Sequence, residues 1–178
     1  DGSNNIIVGA RIEALCDATW SASENGASLL FYTTDANASQ SQVLKLTSDK
    51  QAAFAGRVVE SLSVTDNDAQ NNTLSAAEIL GGIVVHTSVT GGGTVTTDTA
   101  ANIVSGVPLS ANGDCVKVYY INDGDQDLTF AGNTGGSSTV TIADTGQLCL
   151  QDEGVILIFR RTGATAVTMY TMGGGASD

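Results

Sequence analysis

GARIEALCDATWSASENGASLLFYTT (residues 9–34) and VLKLTSDKQAAFAGRVV (residues 43–59) are the two pieces of sequence that decide the fold. Both are short runs of strand-forming residues separated by polar, glycine-bearing turns. In the second piece Leu44 and Leu46 share one face, residues 47–50 supply a turn, and the period of two resumes at Phe54. The pattern predicts a β-hairpin with very little core of its own.

Two further strands are predicted in the same region. Residues 6–12 alternate between apolar and polar, and residues 28–34 are apolar on both faces, which predicts burial on both sides. A region of about 55 residues buries too little of its surface to be stable alone. Strands with exposed edges pair readily with other chains, and three-fold symmetry is one way to close such an assembly.

The order GARIEA, a tryptophan, SLLFYTT and LKLTSDKQAAFAG resembles a recurring module of bacteriophage tail fibres and tailspikes. The resemblance implies that three chains wrap together into an intertwined β shaft ahead of a receptor-binding tip. One departure is Lys50-Gln51, where such turns often carry Asp-Gly. We therefore expect a C-terminal fragment of a fibre, with residues 1–72 forming a trimeric shaft and linker and residues 73–178 forming a head.

The predicted head is an antiparallel β-sandwich of the jelly-roll-like kind, because turn signals recur about every 10 residues. A capping box of Ser75 and Glu78 starts one short helix, and Thr97-Asp98 offers a cap for a second. The glycine run at residues 91–93 predicts a loose loop, and residues 60–72 predict a last shaft strand and a linker. The pieces LSAAEILGGIVVHTS, GDCVKVYYIN and VTMYTMGG also resemble a β-rich head at the ends of viral fibres. The predicted fold class is all-β.

Composition excludes several classes of partner. The net charge is -12 with seven basic residues, which argues against nucleic acid, and no apolar run approaches the length of about 20 residues that a membrane span needs. Cys16, Cys115 and Cys149 are an odd number without CxxC spacing, which excludes a complete disulfide framework. Two alternatives remain: three buried thiols in a protein made in the reducing host cytoplasm, or one bridge between Cys115 and Cys149.

Two features of the sequence, an acidic turn and the single histidine, contain residue types that bind metal ions. Asp123, Asp125 and Asp127 carry alternate carboxylates, but the glycine and glutamate of an EF-hand loop are missing, so an acidic hairpin turn is the simpler interpretation. His86 is the only histidine, which excludes a histidine-dependent triad, and by alternation it belongs to the core or to a subunit interface. No cofactor is predicted. A structural cation at the acidic turn or an axial ion at His86 in a trimer stays open.

Enzymatic activity is not expected. A glycosidase needs two carboxylates at a defined separation, and the candidates Asp114, Asp144, Asp152 and Glu153 sit at turns or in an acidic doublet. Tailspike depolymerases resemble long parallel β-helices, and this chain is expected to be too short and too irregular to contain one.

Receptor binding is expected at loops on the distal end of the head. The candidate residues are Asp123, Gly124, Asp125, Gln126, Gly132 and Ser138. Among the aromatic residues, Tyr120 is expected in the core, whereas Tyr119 points the other way and belongs to the surface or to a subunit interface. Trp20 and Tyr170 are the other rings able to stack on sugars.

The predicted function is adhesion. We expect a homotrimer in the virion tail fibre that binds a host cell-surface glycan or protein and contacts other tail proteins, with weak contacts multiplied over several copies. The alternative is a structural virion protein, for capsid decoration or fibre joining, that has no host-binding role.

Overall fold

The computed structural model describes residues 9–17, 19–21, 23, 25–34, 39–56, 58–87, 90–143 and 148–173, and every structural statement concerns these residues. The protein is mostly β, as the sequence predicts, with two short helices. The chain divides into an N-terminal unit, Asp1–Glu60, and a C-terminal unit, Ser61–Asp178. The division precedes the predicted one at residue 72.

The N-terminal unit contains one antiparallel sheet of four consecutive strands. The predicted hairpin is confirmed, because the Lys50 amide donates to the Thr47 carbonyl and the Thr47 amide donates to the Gln51 carbonyl, at 3.0 and 2.9 Å. Lys50 adopts a left-handed φ of 63°, the conformation that glycine takes more easily. The strands are β1 (Ala10–Cys16), β2 (Ala27–Thr34), β3 (Gln40–Leu46) and β4 (Ala52–Phe54). Residues 6–8 of the first predicted strand lie outside the described residues.

One face of this sheet is apolar across all four strands. The register aligns Ile12 with Phe31, Phe31 with Leu44, and Leu44 with Phe54. We call this surface the N-terminal apolar face, and its other members include Ala10, Ala14, Cys16, Ala27, Leu29, Leu46 and Ala52.

Within one protomer, residues 28–34 are not buried on both sides. Ser28 and Leu30 are buried on one side, whereas Leu29 on the apolar face is 36% exposed. The described residues of the N-terminal unit form one sheet, and no second layer among them covers the apolar face.

The C-terminal unit winds between two sheets. Its first six strands alternate between a six-stranded sheet, ordered β11-β14-β13-β9-β7-β5, and a four-stranded sheet, ordered β12-β10-β8-β6. Neighbours β5, β7 and β9 are parallel, and so are β6, β8 and β10, which is the winding of three coils of a short parallel β-helix. The elements of these coils are β5 (Ser63–Asn67), β6 (Asn72–Leu74), α1 (Ala76–Gly81), β7 (Gly82–His86), β8 (Gly93–Thr97), α2 (Ala100–Gly106), β9 (Cys115–Asn122) and β10 (Leu128–Ala131).

Four more strands complete the two sheets. Strand β13 pairs antiparallel with β9, β14 antiparallel with β13, β11 parallel with β14, and β12 antiparallel with β10. They are β11 (Thr139–Ile142), β12 (Leu148–Cys149), β13 (Glu153–Gly163) and β14 (Ala166–Met172).

Three predictions about the head need correction. Antiparallel pairing is wrong for five of the eight described strand pairs of this unit, which are parallel. The chain was expected to be too short to contain a long parallel β-helix, yet it contains three short parallel coils. Residues 63–67 are not a shaft strand, because they pair with β7. Evenly spaced turns do not distinguish a hairpin from a crossing to the opposite sheet, since both need a turn after each short strand.

One core fills the C-terminal unit. Both sheets contribute to it, for example Val84 and Leu157 from the larger and Val95 and Leu128 from the smaller, and all four are fully or almost fully buried. Helix α1 has the predicted capping box and α2 is capped by Thr99. The prediction of a loose loop at residues 91–93 is wrong at Gly93, because β8 begins there. A Cβ at this position would clash with the Gln70 carbonyl.

Candidate functional site

A cleft of about 430 Å³ opens where the end of β10 meets β11, the edge strand of the larger sheet. Gly132 closes one side of it by passing so near the Val140 carbonyl that a Cβ would clash, and the Val140 amide donates to the Asn133 carbonyl at 2.9 Å. Glycine is therefore required at residue 132. The cleft is lined by Phe130, Ala131, Gly132, Thr134, Thr139, Val140, Thr141 and Ile142.

The loop that rims the cleft is held by hydrogen bonds. The Asn133 amide donates to Thr97 Oγ1 at 3.0 Å, and the Gly135 amide donates to Asn133 Oδ1 at 2.8 Å. The Ser138 hydroxyl oxygen accepts from the Ala101 amide at 2.7 Å, at the start of α2. The candidate residues Gly132 and Ser138 thus shape the rim of the cleft.

The chemistry of the cleft is that of a binding surface. None of its lining residues is charged, and its polar groups include the hydroxyls of Thr134, Thr139 and Thr141. An apolar floor with a few hydroxyls suits an uncharged ligand that has both an apolar surface and hydrogen-bonding groups.

The acidic turn at residues 123–127 is organised by Asn122, which is fully buried. Its Nδ2 donates to the Gln126 carbonyl at 2.8 Å and to the Cys149 carbonyl at 3.0 Å, while its Oδ1 accepts from the Gly124 amide at 3.2 Å. Sequence reasoning missed this residue. The signal was present, because an asparagine just before an Asp-Gly turn commonly bonds the backbone of that turn.

The structure does not bring the two groups of candidate residues together. The turn that contains Asp123, Gly124, Asp125 and Gln126 precedes β10, and the loop from Gly132 to Ser138 follows it. They lie at opposite ends of one strand, so they do not form one distal surface.

No metal site is evident at the acidic turn. Asp123, Asp125 and Asp127 are exposed, and Asp127 Oδ1 accepts from the Gln151 amide at 3.0 Å. Within the described part of the chain, no three His, Cys, Asp or Glu residues are grouped closely enough to hold a metal ion.

His86 lies inside the protomer core, with its Nδ1 2.7 Å from the Tyr120 hydroxyl. Burial lowers the His86 pKa, and the Ala69 carbonyl raises it in part, although no acceptor reaches hydrogen-bond geometry with Nε2. We assign the neutral ring with its proton on Nε2, so that the Tyr120 hydroxyl donates to Nδ1. An ion on a three-fold axis would need an accessible ring, and His86 is enclosed by its own chain.

Tyr120 is buried, as predicted, and its ring meets Phe130 edge-on at 5.3 Å between centroids. Burial raises the Tyr120 pKa, and Asn72 lowers it in part, although neither atom of the Asn72 amide reaches hydrogen-bond geometry. The pair of Tyr120 and His86 therefore stays neutral and acts as a polar contact within the core.

The remaining sequence candidates lie apart from the cleft lining. Asp114 is bonded locally, and the Ala111 amide and then the Ser110 hydroxyl lower its pKa. Asp144 lies outside the described residues. Trp20 is exposed, and its Nε1 donates to the Gly26 carbonyl at 3.1 Å.

The cysteines are free, so the bridge between Cys115 and Cys149 does not form in this structure. Cys149 is buried, and burial raises the pKa of its thiol to about 11. Cys16 and Cys115 are exposed, so the prediction of three buried thiols is wrong for these two.

Comparison of the chain with protein-family models, with curated proteins and with solved structures gives no match. The described helices include none with the length and apolarity to cross a membrane.

Proposed function

We propose that this chain belongs to a viral tail fibre, from a bacteriophage, that trimerises and adheres to a surface glycan or protein of the host cell. It would act in the virion by binding alone, without catalysis. The observation that best supports the proposal is the N-terminal apolar face. Several of its large side chains are exposed in the protomer, with Ile12 at 67% and Phe54 at 54%, while Phe31 and Leu44 are half-buried.

Self-association accounts for this exposure. Burying a Leu, Ile or Phe side chain contributes about 1.5–3 kcal/mol, so a sheet that leaves several of them in water gains more by pairing with a like surface than by staying alone. No charged residue lies on the N-terminal apolar face, whereas Arg11, Glu13 and Lys45 share the opposite face. Copies of the chain would therefore meet through the face that carries no like charges.

The C-terminal unit supplies the presented surface. Its core is closed within one chain, so its loops do not need an assembly to hold their shape. The cleft beside Gly132 is our candidate contact, and its uncharged lining favours a neutral part of a host glycan or protein. Three copies on one fibre would multiply a weak contact by raising its effective concentration.

Binding of fluorescently labelled protein to a panel of bacterial strains tests the proposal. We expect one strain or more to bind the wild type, and Thr134→Lys, which places a charge in the cleft from an exposed loop position, to abolish that binding without changing the oligomeric mass. Thr129→Lys is the matched control, because Thr129 is exposed on β10 but does not line the cleft. Equal binding by Thr134→Lys would remove the cleft from the proposal. Binding to isolated virion proteins and to no cell would favour the structural role instead.

A further inference from the structure

The outer face of the six-stranded sheet is a second apolar surface of the protein. In register across the sheet, Val64 pairs with Ile83, Ile83 with Tyr119, and Tyr119 with Ile156, all on the side away from the core. We call this surface the C-terminal outer face. Its apolar residues and tyrosines are Val64, Ile83, Val85, Tyr119, Ile121, Ile156, Ile158, Tyr170 and Met172.

This face is partly exposed in the protomer, with three of its nine apolar residues and tyrosines exposed and the other six half-buried. Val64 is 64% exposed, Met172 56% and Ile121 41%. Strands β5, β7 and β9 are parallel, and parallel sheets are normally covered on both faces. The buried residues of both helices, Ile79 in α1 and Ile103 in α2, belong to the core on the other face.

We propose that the C-terminal outer face is a contact surface between copies of this chain. The inference rests on the homotrimer of the proposed function, and it assigns a second surface to that assembly. The occupant of the face is another copy.

Charge supports a second copy as the occupant. The C-terminal unit has twelve acidic and three basic residues, so most of its surface repels another copy. The outer face carries two of the three basic residues, Lys117 and Arg160, and among its described positions Asp66 is the one acidic residue. This is the part of the unit where like-charge repulsion is smallest.

The position of these charges is self-complementary. Asp66 lies in the row of Val85 and Ile121, near one end of the strands, whereas Lys117 and Arg160 lie toward the other end. If three copies turn these faces toward a three-fold axis with their strands running across it, the acidic end of each face meets the basic end of the next.

The area of the C-terminal outer face also supports a contact between copies. Five strands spaced by about 4.8 Å, each with about five residues rising 3.3 Å, cover about 400 Å² of plane, as large as the biggest apolar patches on monomers. The N-terminal apolar face has a similar extent. The two faces together give about 800 Å² per copy, which is the area that a stable interface buries on each partner.

Light scattering on the full chain is the first test, with Ile156→Lys as the variant. Ile156 lies in the middle row of the face, and a lysine buried there without a partner should raise the dissociation constant by about 100-fold or more. We expect a mass of three times 18.1 kDa for the wild type and a mass near 18.1 kDa for the variant at the same concentration. Leu80→Lys is the control, because Leu80 is 52% exposed on α1, outside the face, and should leave the mass unchanged.

Thiol labelling gives a second readout that misfolding cannot mimic. Cys115 pairs with Arg160 at the margin of the face and is exposed in the protomer, so it should react slowly in the assembly and quickly in Ile156→Lys. Cys149 is buried in the core and should stay unlabelled in both proteins if the unit is folded.

The outcomes separate this inference from the proposed function. A trimeric Ile156→Lys with unchanged Cys115 labelling would overturn the inference and leave a trimer held by the N-terminal apolar face. A wild type of 18.1 kDa at every concentration would overturn both.

Discussion

The two units of this protein use the same alternating strands and differ in what covers them. Among the described residues of the N-terminal unit, Leu30 is the buried hydrophobic side chain, whereas 19 buried residues form one core in the C-terminal unit. The difference follows from the number of sheets. A second sheet in the C-terminal unit covers the apolar side of the first, whereas the described residues of the N-terminal unit form one sheet, whose apolar face no other sheet of that unit covers.

The largest effect should come from a matched pair of phenylalanines. Phe159 is fully buried between the sheets of the C-terminal unit, and Phe54 is 54% exposed on the N-terminal apolar face. We expect Phe159→Ala to lower the free energy of unfolding by about 3–5 kcal/mol, because it removes a large side chain and leaves a cavity. Phe54→Ala should leave the stability of the C-terminal unit unchanged and weaken self-association. Urea unfolding, followed through the C-terminal unit, and light scattering measure the two effects.

Equal losses of unfolding free energy in the two variants would contradict this comparison. They would mean that the two units unfold as one cooperative body. Val116→Ala is a control within the same unit, because Val116 is only partly buried at the edge of the core and should cost less than Phe159→Ala.

A second pair of variants compares two loops of the C-terminal unit. Asn122 is fully buried with three hydrogen bonds, whereas Asn133 is partly exposed and its side chain accepts one. We expect Asn122→Ala to cost about 1–3 kcal/mol, because the buried Cys149 carbonyl loses its donor, whereas the carbonyl of the exposed Gln126 can bond water instead. Asn133→Ala should cost about 0.5–1.5 kcal/mol. Chemical denaturation at one pH measures both, and a larger loss for Asn133→Ala would show that the acidic turn is not organised by Asn122.

Local signals in the sequence predicted local structure well. The capping box of Ser75 and Glu78 and the turn at residues 47–50 are both confirmed, because each depends on residues within a few positions of one another. Tyr120 was placed correctly in the core from its alternation with Val118, and of the two positions predicted for His86, core or subunit interface, the structure shows the core. Alternation reports which residues share a face but not which face is inward, because the outward Ile83, Tyr119 and Ile121 are as large and apolar as the inward residues.

Long-range pairing was the part that the sequence did not reveal. Residues 63–67 alternate like any edge strand, and nothing local states that they pair with β7 of the next coil and not with β4. The cleft depends on Gly132 approaching Val140, a contact that forms only after both sheets are in place. A glycine in a polar loop has many local explanations, so its role as a spacer was not predictable.

A smaller effect should appear in the pH dependence of the C-terminal unit. Burial lowers the His86 pKa in the folded protein below its usual value near 6.5, so the unfolded chain binds a proton at a higher pH than the folded chain does. The contribution of His86 to stability is therefore complete above that usual value and is lost as the pH falls toward the folded pKa. His86→Gln, which is neutral at every pH and can accept from Tyr120, should flatten this part of the profile.

Urea midpoints of the wild type and of His86→Gln, measured in steps from about pH 7.5 to about pH 5, test the sign of this effect. All other residues are the same in the two proteins, so their contributions cancel in the difference. Identical slopes would show that the ring is not held neutral by burial.

The smallest effect should come from the charged side of the N-terminal sheet, which contrasts with its apolar side. Arg11 contacts Glu13 at 3.1 Å and lies 4.2 Å above the Tyr32 ring, but the Arg11 and Glu13 side chains are 47% and 31% exposed. Solvent screens such a pair, so Glu13→Gln should change the free energy of unfolding by less than about 1 kcal/mol, with little response to added salt. Double-mutant cycles with Arg11→Gln measure the coupling. A coupling well above 1 kcal/mol would mean that this side of the sheet is shielded from water, because only desolvation makes an ion pair of this geometry strong.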